Sequence, residues 1–247
     1  MIVVHEQIAQ LASPAPGSIV VDAGAGSGRT LAAIGGMAPR ARLIAIDLDG
    51  EKLASAMATV PNLTAIRADL AGPLPIADRQ VDVVISTNTL ECLVDPSAAL
   101  VEMARILRPT GVAVLAHTDF ETIVVTASDR ELSRRVLRTY ADLPVPYLYM
   151  QATDAQLGRR LSGLVRRGPL RHESVQAHTR VVSSLAEAAD LRLREVATAI
   201  RSAADQGLGG VTPTEVDRWW SDLEAADAAD EFLFSETAYI VTARLPG

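Results

Sequence analysis

The sequence predicts an α/β fold: a doubly wound, mostly parallel seven-stranded sheet of Rossmann-like type, with helical insertions after its fifth and sixth strands. Three observations predict it. Short β-branched runs alternate with helical stretches through the first half of the chain. Those runs are continuously apolar, as strands covered on both faces must be. The first run ends in a glycine-rich turn that opens a helix.

The first strand is read at 18–22, the second at 43–47, the third at 63–67, the fourth at 81–86 and the fifth at 111–115. Between the last two lies a helix with Asp95 as its cap and Pro96 at its first position. Leu100, Met103, Ala104 and Leu107 recur there at helical spacing, and Pro109 ends it. Beyond the fifth strand, Ser128-Asp129-Arg130-Glu131 is a capping box, followed by Leu132, Val136, Leu137 and Tyr140 on one face. A second helix starts at Thr153. A strand near 173–182, helices from Leu185 and Thr212, and a last strand over 232–245 complete the chain. No repeat, low-complexity tail or linker separates two domains, so residues 1–247 read as one domain. Its core is 18–119, and its insertions at about 121–170 and 183–230 form a substrate cap.

Composition narrows the function. The chain has 247 residues, of which 49% are hydrophobic and 21% charged, which excludes a wholly disordered chain. No apolar run is long enough for a transmembrane helix, and the N-terminus lacks a signal-peptide pattern, so no membrane partner and a cytoplasmic location are expected. A single cysteine, Cys92, excludes an internal disulfide and a cysteine-based zinc site, and no metal ligand set has a secure spacing. The net charge of −7 demotes nucleic acid as a partner, because phosphate neutralisation drives that binding. Ser128 to Arg171 runs the other way, with nine arginines against four acids. It is either a set of solvated helix faces or a surface for an anionic acceptor or acidic partner. An exposed insertion could also support a homodimer.

The chemistry concentrates in Asp22-Ala23-Gly24-Ala25-Gly26-Ser27-Gly28. Small residues there let a ligand approach the backbone, and the helix start favours a negative group. The glycine spacing differs from the Gly-x-Gly-x-x-Gly of dinucleotide sites. Asp22 can pair with a positive ligand group, and Asp47, ending the next strand, can accept hydrogen bonds from ribose hydroxyls.

With Ala68-Asp69-Leu70 after the third strand, Asn88-Thr89-Leu90 after the fourth and Leu107-Arg108-Pro109-Thr110-Gly111 before the fifth, this series resembles the class I S-adenosylmethionine-dependent methyltransferases. The layout is similar to the small-molecule branch that includes ubiquinone- and menaquinone-pathway methyltransferases. The matches lie between residues 18 and 119. The resemblance implies that Gly24, Ala25, Gly26 and Gly28 cradle the methionine part of S-adenosylmethionine, with Asp22 near its ammonium. Asp47 would hold the ribose and Leu48 would lie against the adenine. Asp69 would bind the adenine amino group between Ala68 and Leu70, and Asn88 and Leu90 would line the way from sulfonium to acceptor. S-adenosylhomocysteine would be the product. Methyl transfer to oxygen, nitrogen or carbon of a small molecule, in secondary metabolism, is the implied activity. A non-methylating step such as cyclisation or decarboxylation, or a macromolecular acceptor, is the alternative.

Many members of that branch carry histidine soon after the Asn-x-Leu, whereas this chain has Glu91-Cys92. A base is needed only if the acceptor loses its proton in the attack. His117, Asp119 and Glu121 are the catalytic candidates, because ligands of open α/β sheets bind at strand carboxyl ends; a polar strand end is the other reading. His5 is assigned to a mobile N-terminus, and His172 and His178 to surface or packing roles. Tyr140, Tyr147 and Tyr149 either line an acceptor pocket or pack beneath the insertion. Val216, Trp219, Trp220 and Leu223 share a helical face and read as core.

Overall fold

A computed structural model describes residues 4–143 and 153–247. Tyr147 and Tyr149 lie outside the described residues. The elements run α1 (Val4–Ala12), β1 (Ile19–Ala23), α2 (Arg29–Met37), β2 (Arg42–Asp47), α3 (Gly50–Thr59), β3 (Thr64–Arg67), β4 (Val81–Thr87), a 3₁₀ turn (Leu90–Cys92), α4 (Pro96–Ile106) and β5 (Leu107–Val125). Then follow α5 (Arg130–Asp142), α6 (Leu157–Arg167), β6 (Arg171–Val182), α7 (Leu185–Ala188), a π turn (Ala189–Leu193), α8 (Arg194–Asp205), α9 (Pro213–Ala228) and β7 (Phe234–Arg244). The seven strands form one sheet in the order β3-β2-β1-β4-β5-β7-β6, and the pairs β3–β2, β2–β1, β1–β4 and β4–β5 are parallel. The order reverses between β1 and β4, the crevice position where such sheets bind ligands.

The chain divides into two compact units. The first comprises 1–118, 149–178 and 238–247, and the second 119–148 and 179–237. The predicted insertion at 121–170 is therefore split, with α5 in the second unit and α6 in the first.

In the first unit, neighbouring strand residues point to opposite faces. Val20, Val83, Ile85, Val112 and Val114 pack with Ile8, Leu31 and Ile34 of α1 and α2. Val21, Val84, Ala113 and Leu115 pack with Leu100 and Met103 of α4 and Leu161 and Val165 of α6. α4 starts as its sequence dictates: the Asp95 carboxylate accepts the N–H groups of Ser97 and Ala98, and Pro96 occupies the first turn. The N-terminus differs from the expected mobile segment. Val4 to Ala12 is a helix whose Ile8 and Ala9 are fully buried, so His5 has a fixed place.

The second unit has its own core around Trp219, Phe234, Leu193, Val196 and Ile200. Thr212 and Glu215 close a capping box on α9 with Pro213 in its first turn. That helix delivers Trp219 to full burial, its indole N–H donating to Ser133 Oγ at 3.3 Å. Trp219→Ala should lower stability by about 3–5 kcal/mol, the usual range for a large core aromatic, read as a shift in the denaturant midpoint.

Candidate cofactor cleft

A cleft of about 370 Å³ opens in the first unit at the carboxyl ends of β1, β2, β3 and β4. Its floor is the turn after β1. The N–H groups of Gly24 and Ala25 donate to the Ile46 carbonyl at 2.8 and 3.0 Å, tying the turn to the end of β2. Gly24 has φ +84°, and a Cβ there would lie 2.2 Å from the Thr89 side chain. Thr89 in turn donates its hydroxyl to the Gly24 carbonyl at 3.2 Å. Gly28 has φ +79° and caps α2 with no room for a Cβ beside Ala56. The glycines thus serve close packing of the turn, and Gly26, where a Cβ would meet open space, is the position with room above it.

Asp47 holds the same turn. One carboxylate oxygen accepts the Gly26 N–H at 2.7 Å and the other the Asp49 N–H at 2.9 Å. Asp22 is 1% exposed, and its Oδ1 has no hydrogen-bond partner. Burial, reinforced by the charge of Asp47, pushes its pKa up to about 7. A buried carboxyl oxygen with no donor is costly unless something else meets it. Asn88 completes the β4 side. It holds φ +48°, a conformation Asn tolerates better than most residues. Its side-chain oxygen accepts the Thr118 N–H at 2.8 Å and its backbone N–H donates to the Ala116 carbonyl at 3.0 Å, fixing the strand exit against β5.

Of the residues assigned to the cofactor from sequence, Asp22, Gly24, Ala25, Gly26, Asp47, Leu48, Ala68, Asp69, Leu70 and Asn88 line this cleft. Gly28 and Leu90 do not: the first caps α2 behind the turn, and the second is buried in the core. Sequence reading missed His5, Ser27, Arg29, Thr30, Lys52, Thr87, Thr89, Cys92 and Leu93, which also line it. For Lys52 and Arg29 the available signal was position, since each follows closely on the end of a strand whose acid or glycine had already been singled out. Burial and the charge of Glu91 push the Cys92 thiol up, with Lys52 acting against them, so it stays protonated near neutral pH.

The catalytic candidates fall elsewhere. β5 does not close at His117 but runs to Val125, so His117, Asp119 and Glu121 are inside the strand rather than at its end. None of the three lines the cleft. His117 is 1% exposed, with Nε2 2.8 Å from the carboxylate of buried Glu91 on the 3₁₀ turn. Asp119 and Glu121 belong to the second unit, where the Asp119 carboxylate accepts the Glu121 N–H at 3.1 Å. Tyr140 is also in the second unit. Its hydroxyl donates to Glu195 at 3.0 Å, beside Arg192, and burial pushes its pKa up. The arginines of 128–171 are divided between α5 in the second unit and α6 and β6 in the first. Arg134, Arg135, Arg138, Arg160 and Arg171 each have a carboxylate within ion-pair distance, which favours the reading as solvated faces.

Comparison with known proteins bears on this arrangement. Residues 21–115 match the family model described as a methyltransferase domain. Over 93% of its length the chain is 28% identical to an uncharacterized 37.1 kDa protein in transposon TN4556 of Streptomyces fradiae, of which it covers 63%. Over 39% of its length it is 34% identical to the trans-aconitate 2-methyltransferase of Azoarcus sp., of which it covers 37%. A Bacillus halodurans structure solved as a candidate methyltransferase superposes with a TM-score of 0.64 over 99% of both chains at 14% identity, a likeness of fold. The chain thus spans less than two thirds of the curated relatives it matches. The stretch that holds the acid, the glycine turn and strand-end Asp47 is thus similar to methyltransferase domains, and over 45% of its length the chain is 34% identical to a probable S-adenosylmethionine-dependent methyltransferase of Mycolicibacterium smegmatis, of which it covers 43%. The residues present fit that cofactor: Asp22 offers an unpartnered buried oxygen, and the Gly26 position leaves space over the turn.

Proposed function

We propose that this chain transfers a methyl group from S-adenosylmethionine to a small-molecule acceptor. The observation that carries the reading is the buried, unpartnered Asp22 carboxyl on the floor of a cleft whose other side is Asp47. When bound, the cofactor supplies a methyl group on a positively charged sulfur that departs as a neutral thioether. The chain's own work is to hold and orient. Asp22 meets the ammonium of the amino-acid arm. Asp47 keeps lone pairs for the ribose hydroxyls while its backbone bonds hold the turn, and Asp69, with Ala68, Leu48 and Leu70, receives the adenine. Asn88, locked to β5, sets the edge past which the acceptor approaches. His117 acts through Glu91 on the turn that carries Cys92, as a positioning residue. The acidic balance of the chain supports a small acceptor over RNA.

Calorimetric titration of S-adenosylhomocysteine tests the reading, with Asp47→Asn as the control because it keeps one acceptor oxygen for the turn. Binding in the micromolar range, about 8 kcal/mol, weakened at least ~10-fold in the control, is expected. A folded protein that does not bind overturns the assignment. Acceptors are then screened by product mass, where a gain of about 14 Da marks a methyl group. Turnover without that gain favours the cyclisation or decarboxylation alternative.

A further inference from the structure

We propose that the second unit holds a ligand pocket of its own, built from the π turn and α8, for an uncharged small molecule with an apolar body and a hydroxylated end, the chemistry of a glycoside. This goes beyond the methyl-transfer reading and does not depend on it. A cavity of about 830 Å³ lies there, within the size range of small-molecule sites. Every described residue that lines it belongs to the second unit. Residues 189–192, most of the π turn, form part of its wall. Such a turn widens the helical ladder by one residue and is frequent at functional sites. Here Leu193 anchors it, fully buried in the core of the unit, and Arg192 beside it faces the cavity.

Arg192 is the reason to expect an occupant. Its side chain is 14% exposed. Its Nε donates to Glu236 and its Nη1 to Glu195, both at 3.2 Å, and the guanidinium lies 4.9 Å over the ring of Phe120. The Tyr140 hydroxyl is close by. A guanidinium has about five N–H donors, so this fork has some left to give, and an acceptor oxygen in the cavity would meet them. The wall limits the charge of that acceptor. Asp190 pairs with Arg194 and Glu195 with Arg192, each at 3.2 Å, so the charged residues of the wall sum to zero. A ligand anion or cation would have to break a pair already made, and a neutral oxygen would not. Thr198, Ser202 and Gln206 add two hydroxyls and an amide, each four residues on from the last along one edge of α8 and its cap. Leu143, Leu191 and Leu208 supply apolar surface. A row of polar groups, a balanced charge and three leucines suit a molecule that is neutral, hydroxylated at one end and apolar along its body.

The test is a ligand-observed NMR titration of the full chain near neutral pH with four probes: octyl glucoside below its micelle concentration, octanoate, octylammonium and methyl glucoside. Octyl glucoside should bind in the millimolar range. Octanoate and octylammonium, with the same tail and a charged end, should bind at least ~5-fold more weakly, and methyl glucoside, which lacks the apolar body, at least ~10-fold more weakly. Ser202→Trp puts a ring into the cavity from an exposed position, so the variant should fold and bind octyl glucoside at least ~10-fold more weakly. Gln206→Trp repeats the block from the end of α8. Ser221→Trp, at an exposed position of α9 that does not line the cavity, should leave binding within about 2-fold of wild type. The proposal is overturned if octyl glucoside does not bind, if both blocked variants bind it as wild type does, if Ser221→Trp weakens it equally, or if either charged probe binds as tightly. None of these outcomes touches the cofactor reading, which the S-adenosylhomocysteine titration decides.

Discussion

Affinity for S-adenosylhomocysteine should fall about 30-fold between pH 8 and pH 5.5 in the wild-type protein and stay flat in Asp22→Asn. The reason is the buried Asp22 carboxyl, whose pKa burial and Asp47 push up to about 7. Only its ionised form meets an ammonium, and at pH 5.5 about 3% of it is ionised. The effect on stability has the opposite sense. The folded pKa lies above the 3.8 of an ordinary aspartate, so the folded chain keeps a proton that the unfolded chain has released. The corresponding stability is complete below the unfolded pKa and is lost as pH rises through about 7. Free Asp22→Asn should therefore be more stable than free wild type at pH 8, by up to about 4 kcal/mol, while binding the ligand at least ~10-fold more weakly. Denaturant midpoints at pH 5 and pH 8, set beside calorimetry at the same values, check both halves. A variant less stable at pH 8 with unchanged affinity would sink the account of Asp22.

Gly24→Ala should cost about 3 kcal/mol of stability and weaken S-adenosylhomocysteine about 100-fold. The added Cβ would have to occupy φ +84° and stand 2.2 Å from Thr89. Thr89 cannot simply move away, because its hydroxyl bonds the Gly24 and Thr87 carbonyls. The turn must shift instead, taking Gly26 away from Asp47. Thr89→Ala should recover part of the loss in the double variant, because it removes the clash and leaves only the backbone strain. Additive losses across that cycle would show that the two residues do not meet.

The parallel half of the sheet was legible because each of its strands is an apolar run bounded by turn residues. The cleft was legible because its chemistry is carried by glycines and acids at strand ends, where spacing alone signals a site. What escaped was made by contacts remote in sequence. The polar segment His117 to Thr122 gave no sign of continuing a strand, because Glu91 meets His117 and Thr237 donates its N–H to Thr122. Neither partner shows in the local pattern. The N-terminal helix was underread for the same reason: Val4, Ile8 and Ala12 form an apolar stripe on a helix of only nine residues, too short to be persuasive without the β-sheet beneath it. The π turn at 189–193 left no mark in the sequence pattern.

The strand order has a consequence for how the chain is made. β7, the last of the seven to leave the ribosome, stands between β5 and β6. Until it is synthesised, β5 is an open edge and β6, already complete, has no neighbour to pair with. An open apolar edge is a template for pairing with other chains. The nascent protein therefore carries its greatest aggregation hazard late in translation, and a stop codon placed before Phe234 would release chains whose cofactor cleft is already encoded but whose sheet cannot close.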